Sequence, residues 1–189
     1  MKIKLIIGSF IFTQIAIAQI PTSLGFSLCG QFSEKNAEVK AQGFLLKEIL
    51  KSPGDIVPFE LERIASSMSG DLTSLFYRCE EKHLEGMILA FYGDYWNDLG
   101  QIYQGFVFKN LPKNEALEFL SKISKTIEEQ KDFLSKDNDN NAFFQYEDIS
   151  VVISKDMETK IRIFWNGFYA EWENWTFTRT KKTLENSSN

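Results

Sequence analysis

The sequence predicts an α+β fold in which two helices, at about residues 34–51 and 113–134, pack on an antiparallel sheet. Two observations indicate the helices: apolar residues recur with a helical period in both segments, and lysine and glutamate occupy the opposite face of the second. A third observation indicates the sheet, since an Asn-Gly pair at 166–167 stands between two alternating apolar runs. The sheet should therefore combine a meander with a C-terminal hairpin.

Residues 1–18 have the features of a secretory signal peptide. Two lysines precede a mainly apolar run, and an A-x-A cleavage motif ends at Ala18, directly before Gln19. The apolar run is shorter than the roughly 20 residues that a membrane span needs. We therefore expect a protein that is secreted or periplasmic after cleavage near Ala18–Gln19, without a membrane span, and a single domain at 19–189.

The mature chain should begin with an irregular lead-in at 19–32, which holds one of the two cysteines. An even pair of cysteines in an exported protein often forms a disulfide. A bridge between Cys29 and Cys79 would close a loop of about 50 residues and would stabilise the fold by roughly 4 kcal/mol. The alternative of two buried thiols stays open, because free cysteine packs as a small apolar residue.

The first predicted helix begins near Ser33, which is a suitable N-cap, and ends before Pro53. The following segment, 56–82, fits either a helical stripe or two strands that meet near Gly70. We favour two strands, because the next segment is more clearly β. That segment, 86–93, is a continuous apolar run between glycines, which is typical of a strand buried on both faces.

The next strand is predicted at 102–111, where Pro112 ends it and the second helix follows. A polar run breaks that helix, and the residues at 142–154 predict a further strand or a strand pair. The chain contains no internal repeat and no interdomain linker, which agrees with one domain.

A two-residue turn at Asn166–Gly167 fixes the register of the C-terminal hairpin by counting. One face of the hairpin is then wholly apolar, and the other carries an aromatic pair and two pairs of opposite charge. The expected apolar pairs are Trp165–Phe168, Ile163–Ala170 and Ile161–Trp172, and those on the other face are Phe164–Tyr169, Arg162–Glu171 and Lys160–Glu173. Most rings of this segment are therefore predicted to lie in the core.

The remaining rings give the candidate contact site for a ligand or a partner. The candidate residues are Phe164, Tyr169, Trp175, Phe177 and Arg179. If the strand continues regularly beyond the hairpin, Trp175 and Phe177 lie beside Tyr169 on the polar face, whereas a bulge would turn them into the core. Flat rings flanked by polar side chains can stack on a sugar or bind a partner protein.

The composition gives little support to a nucleic-acid partner, because 26 acidic residues outnumber 21 basic ones. No phosphate-binding or dinucleotide-binding glycine motif occurs in the sequence, so we expect no cofactor. His83 is the only histidine, which excludes multi-histidine zinc sites and leaves one candidate base for a catalytic triad. No nucleophile motif accompanies it, which favours a protein without catalytic activity.

The polar run after the second helix imitates a calcium-binding loop, with Asp137, Asp139 and Asn141 at the first three ligand positions. The run departs from that motif at two positions, because Ala142 replaces the glycine and Asp148 replaces the bidentate glutamate. We therefore interpret the run as a polar turn between a helix and a strand, which leaves these residues as a weak calcium candidate.

The leading hypothesis for function is an exported binding or protein-interaction module, with an unknown protein or a saccharide as its partner. One alternative is a small glycosidase-like hydrolase that uses Asp94 and Asp98, because glycoside hydrolases act with paired carboxyl groups. Another alternative is a carrier that holds a small apolar ligand between helix and sheet.

Overall fold

Two four-stranded antiparallel sheets and four helices make up residues 35–96, 99–137 and 139–187, the parts of the chain that the computed structural model describes. The N-terminal sheet is a meander of β1 (Glu60–Ser66), β2 (Leu72–Cys79), β3 (Leu84–Trp96) and β4 (Ile102–Pro112). The C-terminal sheet is a second meander of β5 (Asn141–Tyr146), β6 (Ile149–Lys155), β7 (Thr159–Trp165) and β8 (Phe168–Glu173). The helices are α1 (35–50), α2 (Lys113–Glu129), α3 (Lys131–Leu134) and α4 (Asn174–Asn186). The predicted α+β class is confirmed, with two sheets where the pattern predicts one.

Helix α1 covers one face of the N-terminal sheet and confirms the helix predicted at 34–51 over its described part. Its last six residues, Leu45–Leu50, are π-helical, and Lys51 follows with a φ of 45°. Lys82 Nζ donates to the Leu50 carbonyl oxygen at 2.6 Å, which satisfies one C-terminal carbonyl group of the helix. The helix and the sheet share a buried cluster of side chains: Ala37, Ala41, Leu45, Leu50, Leu75, Tyr77, Cys79, Ile88 and Ala90.

The segment 56–82 forms the two strands that the sequence favours, β1 and β2. Gly70 has a φ of 80° in the turn between them, a conformation that glycine adopts without steric penalty. Strand β2 is buried on both faces, because α1 covers one face while the C-terminal sheet and α2 cover the other. Strand β3 is buried in the same way at 86–91, which confirms the doubly buried strand predicted there.

The second predicted helix is interrupted at Gln130. Helix α2 ends one residue before it, Gln130 has a φ of −99° and a ψ of 9°, and α3 follows directly. Near the end of α2, Ser124 and Thr126 donate their hydroxyl groups to carbonyl oxygens four residues earlier, contacts that bend and weaken helices. The apolar spacing of the prediction is confirmed by the buried residues of α2, which are Ala116, Phe119, Leu120 and Ile123.

Helix α4 corrects the expectation that a strand or a bulge follows the hairpin. Strand β8 ends at Glu173 and the helix begins at Asn174. Thr176 Oγ1 donates to the carbonyl oxygen of Glu173 at 2.8 Å and lies 3.1 Å from its Oε2, so polar contacts fix the start of the helix. The buried residues of α4 have helical spacing: Thr176, Phe177, Thr180 and Leu184. The segment is therefore a helix because residues with helical spacing are buried. The alternation of Trp175 and Phe177, on which the predicted strand depended, does not determine its structure.

Cys79 is buried at the end of β2 and forms no disulfide with another described residue, and Cys29 lies outside the described part of the chain. The Cys29–Cys79 disulfide is therefore not shown and stays a prediction. The proposed signal peptide and lead-in, 1–32, also lie outside the described part of the chain. Among the helices that the structure describes, none has the length and apolar character needed to cross a membrane.

Candidate functional site

The C-terminal hairpin forms in the predicted register. All six predicted pairs between β7 and β8 are present. Asn166 and Gly167 have φ values of 49° and 78°, and both angles are positive, as a type I′ turn requires. Phe168 and Trp172 are buried and Trp165 is half-buried. The prediction that this face of the hairpin lies in the core is therefore confirmed.

The tip of the hairpin rests on β3 and β4 near the ends of these strands. Gly93 of β3 pairs with Gly105 of β4, so neither strand carries a side chain at this point. A Cβ atom at Gly93 would lie 3.4 Å from Cδ1 of Phe168, which shows how closely the hairpin approaches. The Phe168 ring therefore packs close to the β3 backbone at Gly93, and the tip joins the two sheets.

A cleft opens between this tip and the turn that joins β1 to β2, and we name it the hairpin cleft. Its volume is about 380 Å³. Its lining residues are Ser69, Asp71, Tyr92, Gly93, Asp94, Gln104, Gly167, Phe168 and Tyr169. A second hollow of about 600 Å³ shares Asp94, Gly167 and Phe168 with it and extends along β4 to Gly105, Phe106 and Val107. The cleft thus combines two tyrosine rings with carboxyl, amide and hydroxyl groups.

Asp71 is half-buried in the cleft, and its surroundings change the pKa of its carboxyl group in opposite directions. Its carbonyl oxygen accepts from the Tyr92 N–H at 2.8 Å, which fixes the turn against β3. Ser67 Oγ donates to Asp71 Oδ1 at 3.4 Å. Burial raises the pKa of the Asp71 carboxyl, and the negative charges of Glu173 and Glu171 raise it further, against the lowering effect of its hydrogen bonds. Carboxyl groups perturbed in this way occur often at functional sites.

Further hydrogen bonds hold the walls of the cleft in place. The Met68 N–H donates to Glu173 Oε1 at 2.8 Å, which attaches the β1–β2 turn to the end of β8. Tyr92 Oη donates to Gln104 Oε1 at 3.2 Å, which orients the Gln104 amide. The polar groups of the cleft are therefore positioned by the protein itself.

On the other side of the hairpin tip, Asp148 joins the two sheets. Its carboxylate accepts from Lys109 Nζ of β4 at 2.6 Å and from Trp165 Nε1 of β7 at 2.7 Å. The hydrogen bond from Lys109, followed by that from Trp165, lowers the pKa of Asp148. A pocket of about 370 Å³ lies here, and its lining includes Phe164 and Tyr169.

Phe164 and Tyr169 form the aromatic pair that the register predicts. Their ring centroids lie 6.1 Å apart, and their planes are inclined by 28°. Tyr169 is 64% exposed and Phe164 is 39% exposed. Tyr169 lines both the hairpin cleft and the pocket beside Asp148, so its ring is common to the two concavities.

The other three predicted contact residues, Trp175, Phe177 and Arg179, lie on α4 and not on a continued strand. Phe177 is 3% exposed and meets Trp172 edge-on at 5.5 Å, so it belongs to the core and is removed from the candidate contact surface. Trp175 is 53% exposed, and Arg179 is exposed four residues later in the helix. Neither of these two residues is among those that line the hairpin cleft.

The carboxylate pair of the hydrolase alternative is described only in part. Asp94 is exposed and lines the hairpin cleft, but Asp98 lies outside the described residues. The structure places Asp71 in the same cleft as Asp94 instead. His83 lies in the turn between β2 and β3 with a φ of 53°, and it is not among the lining residues of the cleft.

The weak calcium candidate lies between α3 and β5, in a polar turn as interpreted from the sequence. The Asp139 N–H donates to Asp137 Oδ1 at 3.2 Å, and Asn141 Nδ2 donates to the Asp139 carbonyl oxygen at 2.7 Å. Within the described ranges, no group of three or more Asp, Glu, His or Cys side chains is placed to hold a metal ion. The calcium candidate stays a prediction.

The sequence reasoning missed Asp71, Tyr92 and Gln104 as cleft residues. Asp71 belongs to a Ser-Gly-Asp turn, and turns on a rigid scaffold often carry binding residues. Tyr92 and Gln104 stand next to the paired glycines of β3 and β4. Glycine within a strand is typical of a close approach by another backbone or a ligand, and this signal could have indicated the site.

No protein-family model, no curated protein and no solved structure matches this chain. No residue of the hairpin cleft therefore takes a role from a relative, and the chemistry of the cleft follows from the contacts of its own side chains.

Proposed function

We propose that the chain is an exported binding module without catalytic activity, and that it binds a saccharide at the hairpin cleft. The observation that carries this proposal is the exposed Tyr169 ring, which stacks with Phe164 and forms a common wall of two concavities. The export part of the proposal rests on the signal-peptide pattern at 1–18, and the Cys29–Cys79 disulfide belongs to the same proposal.

A saccharide matches both kinds of surface in the cleft. The apolar face of a sugar ring stacks on a flat aromatic ring, and tyrosine combines such a face with a polar end that remains in water. Sugar hydroxyl groups need acceptors and donors, which the carboxyl groups of Asp71 and Asp94 and the amide of Gln104 supply. Because Tyr92 already orients the Gln104 amide, binding loses less side-chain freedom.

The dimensions of the cleft favour a small ligand over a protein partner. Its volume of about 380 Å³ lies within the range of roughly 300–1,000 Å³ that small-molecule sites occupy. A stable protein–protein interface instead buries roughly 800 Å² on each partner around fully desolvated anchors. The exposed rings near the tip line concave pockets, which agrees with the first kind of site.

The carrier alternative gains no comparable support from the layer between helix and sheet. Leu45 of α1 and Leu75 and Ile88 of the N-terminal sheet are fully buried in one cluster. The contacts among these side chains do not support the carrier alternative, which needs a cavity in this layer.

One observation favours the glycosidase alternative as a second candidate. Asp71 and Asp94 line one cleft, and the pKa of Asp71 is raised chiefly by burial. Glycoside hydrolases use two carboxyl groups, and the general acid has a raised pKa. Mass spectrometry of the saccharide after incubation separates the two functions, because a binding module leaves its length unchanged. A hydrolase shortens it, and Asp94→Asn abolishes the shortening.

Two aromatic residues on one face of the C-terminal sheet provide a matched test of saccharide binding. Tyr169 and Phe143 are both 64% exposed, but only Tyr169 lines the cleft. In a calorimetric screen of hexose and hexosamine oligosaccharides, Tyr169→Ser should weaken binding of the ligand about tenfold, because ring stacking contributes up to about 1.5 kcal/mol. Phe143→Ser should change the affinity less than about twofold. Binding by no member of the panel, or equal losses in both variants, would overturn the proposal.

A further inference from the structure

Asp71 shares its part of the structure with other negative charges. Asp94 lies in the same cleft, and the charges that act most strongly on the Asp71 carboxyl are those of Glu173 and Glu171. On β7 and β8, Arg162 Nε lies 3.4 Å from Glu171 Oε2, so the positive charge of this arginine is paired with Glu171. An acidic saccharide is therefore repelled here, and a ligand with a positive charge relieves an unfavourable arrangement.

Two further features of the cleft suit a cation. The rings of Tyr92 and Tyr169 line the same cavity, and the negative face of a tyrosine ring attracts an ammonium group. The hydrogen bond that Asp71 Oδ1 accepts from Ser67 is long, at 3.4 Å. The carboxylate, with about four acceptor positions, retains capacity for an N–H donor from a ligand.

The ionised carboxyl group of Asp71 lowers the stability of the folded protein. Burial and like charges raise the pKa of Asp71, so folding disfavours its ionised form. Groups that oppose stability in this way concentrate where activity or binding needs them. A role in ligand recognition explains why a carboxyl group occupies this position of the cleft.

We infer that the saccharide of the hairpin cleft carries a cationic amino group, as a hexosamine without its N-acetyl group does, and that Asp71 binds this group. The inference rests on the proposed function and names the ligand class of that same site. The ammonium group donates to the Asp71 carboxylate, and the faces of Tyr92 and Tyr169 contact both the ammonium group and the sugar ring that carries it. Charge-assisted hydrogen bonds are roughly twice as strong as neutral ones, and an N-acetylated sugar lacks this interaction.

Two tetrasaccharides with the same linkage distinguish the contribution of the charged amino group from that of the sugar rings. They are a glucosamine tetramer and its fully N-acetylated form. By calorimetry at mildly acidic pH, where the amines are charged, the protein should bind the free-amine tetramer about tenfold more tightly. A hydrogen bond to a charged group accounts for a ratio of this size. In Asp71→Asn the preference should fall below about twofold. The control Asp132→Asn makes the same charge change at an exposed position of α3 and should retain the preference.

The outcomes separate this inference from the proposed function. Equal affinity for the two tetramers, with a loss of both in Tyr169→Ser, overturns the amino-group inference and leaves the saccharide site intact. A preference that persists in Asp71→Asn overturns it as well, whereas failure of the whole oligosaccharide panel ends both proposals. A thermal unfolding scan checks whether the Asp71→Asn variant is folded. If it is not, Tyr92→Leu replaces it, and an undiminished preference in that variant contradicts the inference.

Discussion

Gly86 lies where the neighbouring atoms leave no space for a methyl group. A Cβ atom at Gly86 would lie 2.6 Å from the Leu111 carbonyl oxygen and 2.7 Å from the Tyr77 hydroxyl oxygen. Carbon–oxygen contacts are ordinarily about 3.3 Å or longer, so the strand or the ring must move in Gly86→Ala. Leu111 belongs to β4, which pairs with β3, and the Tyr77 hydroxyl donates to Asn110 Oδ1 at 2.9 Å. Neither group can move without losing contacts.

We expect Gly86→Ala to lower the free energy of unfolding by about 2 kcal/mol. Overpacking of a filled interior costs about 1–3 kcal/mol. Displacing the Tyr77 hydroxyl from Asn110 adds about 1 kcal/mol, and replacing glycine within a strand offsets roughly 0.5–1 kcal/mol. In a domain of this size each kcal/mol shifts Tm by roughly 2–4 °C, so Tm should fall by about 4–8 °C.

Urea unfolding and thermal scans of two alanine variants measure this difference. Gly93 is the matched control, because it lies on the same strand and its Cβ atom would be 3.4 Å from Phe168 Cδ1. Gly93→Ala should stay within about 1 kcal/mol of the parent protein. Equal losses in both variants, or an unchanged stability in Gly86→Ala, would refute the argument from contact distances.

Three further predictions concern single side chains. Because burial raises the pKa of Asp71 above 3.8, its contribution to stability is complete below that value and is lost as the pH rises through the raised pKa. Asp71→Asn should therefore be more stable than the parent at neutral pH, and denaturation curves at several pH values should show the gain disappearing in acid. The pH dependence of stability has the opposite sign at Asp148, because hydrogen bonds lower the pKa of its carboxyl group. Its contribution to stability is present above 3.8 and is lost as the pH falls through the lowered pKa. Asp148→Asn should therefore be less stable at neutral pH, and a difference that grows in acid would contradict this. Phe177→Ala should lower the free energy of unfolding by about 3–5 kcal/mol, whereas Trp175→Ala, at an exposed position, should change it by about 0.5 kcal/mol or less in urea titrations. Similar losses in these two variants would contradict the buried and exposed placements.

The hairpin could be predicted in detail because its signals are local. The Asn-Gly pair sets the turn, and the alternation of side chains sets which residues face the core, so the six pairs follow by counting. The apolar face of α2 could be predicted for a similar reason, since the helical spacing recurs over several turns.

Helix α4 and the hairpin cleft depend on contacts that no single segment carries. The start of α4 is rich in threonine and aromatic residues, which have low helix propensity, and burial of Phe177 and Leu184 in the core outweighs that preference. In the cleft, Glu173 reaches the Met68 N–H, 105 positions away in the chain. A local sequence pattern cannot place two such residues together, so it gives no indication that Asp71 lines a cleft.

The hairpin cleft has walls from both sheets, since the β1–β2 turn, β3 and β4 face the tip of the β7–β8 hairpin. A molecule seated there spans the seam between the two halves of the fold and must leave before they come apart. A free ligand concentration of about 100 times Kd would add about 2.7 kcal/mol to the free energy of unfolding. If the proposed saccharide site is correct, the melting temperature would rise with the affinity of each candidate sugar, and a thermal scan would rank them without a label, an immobilised surface or a turnover assay.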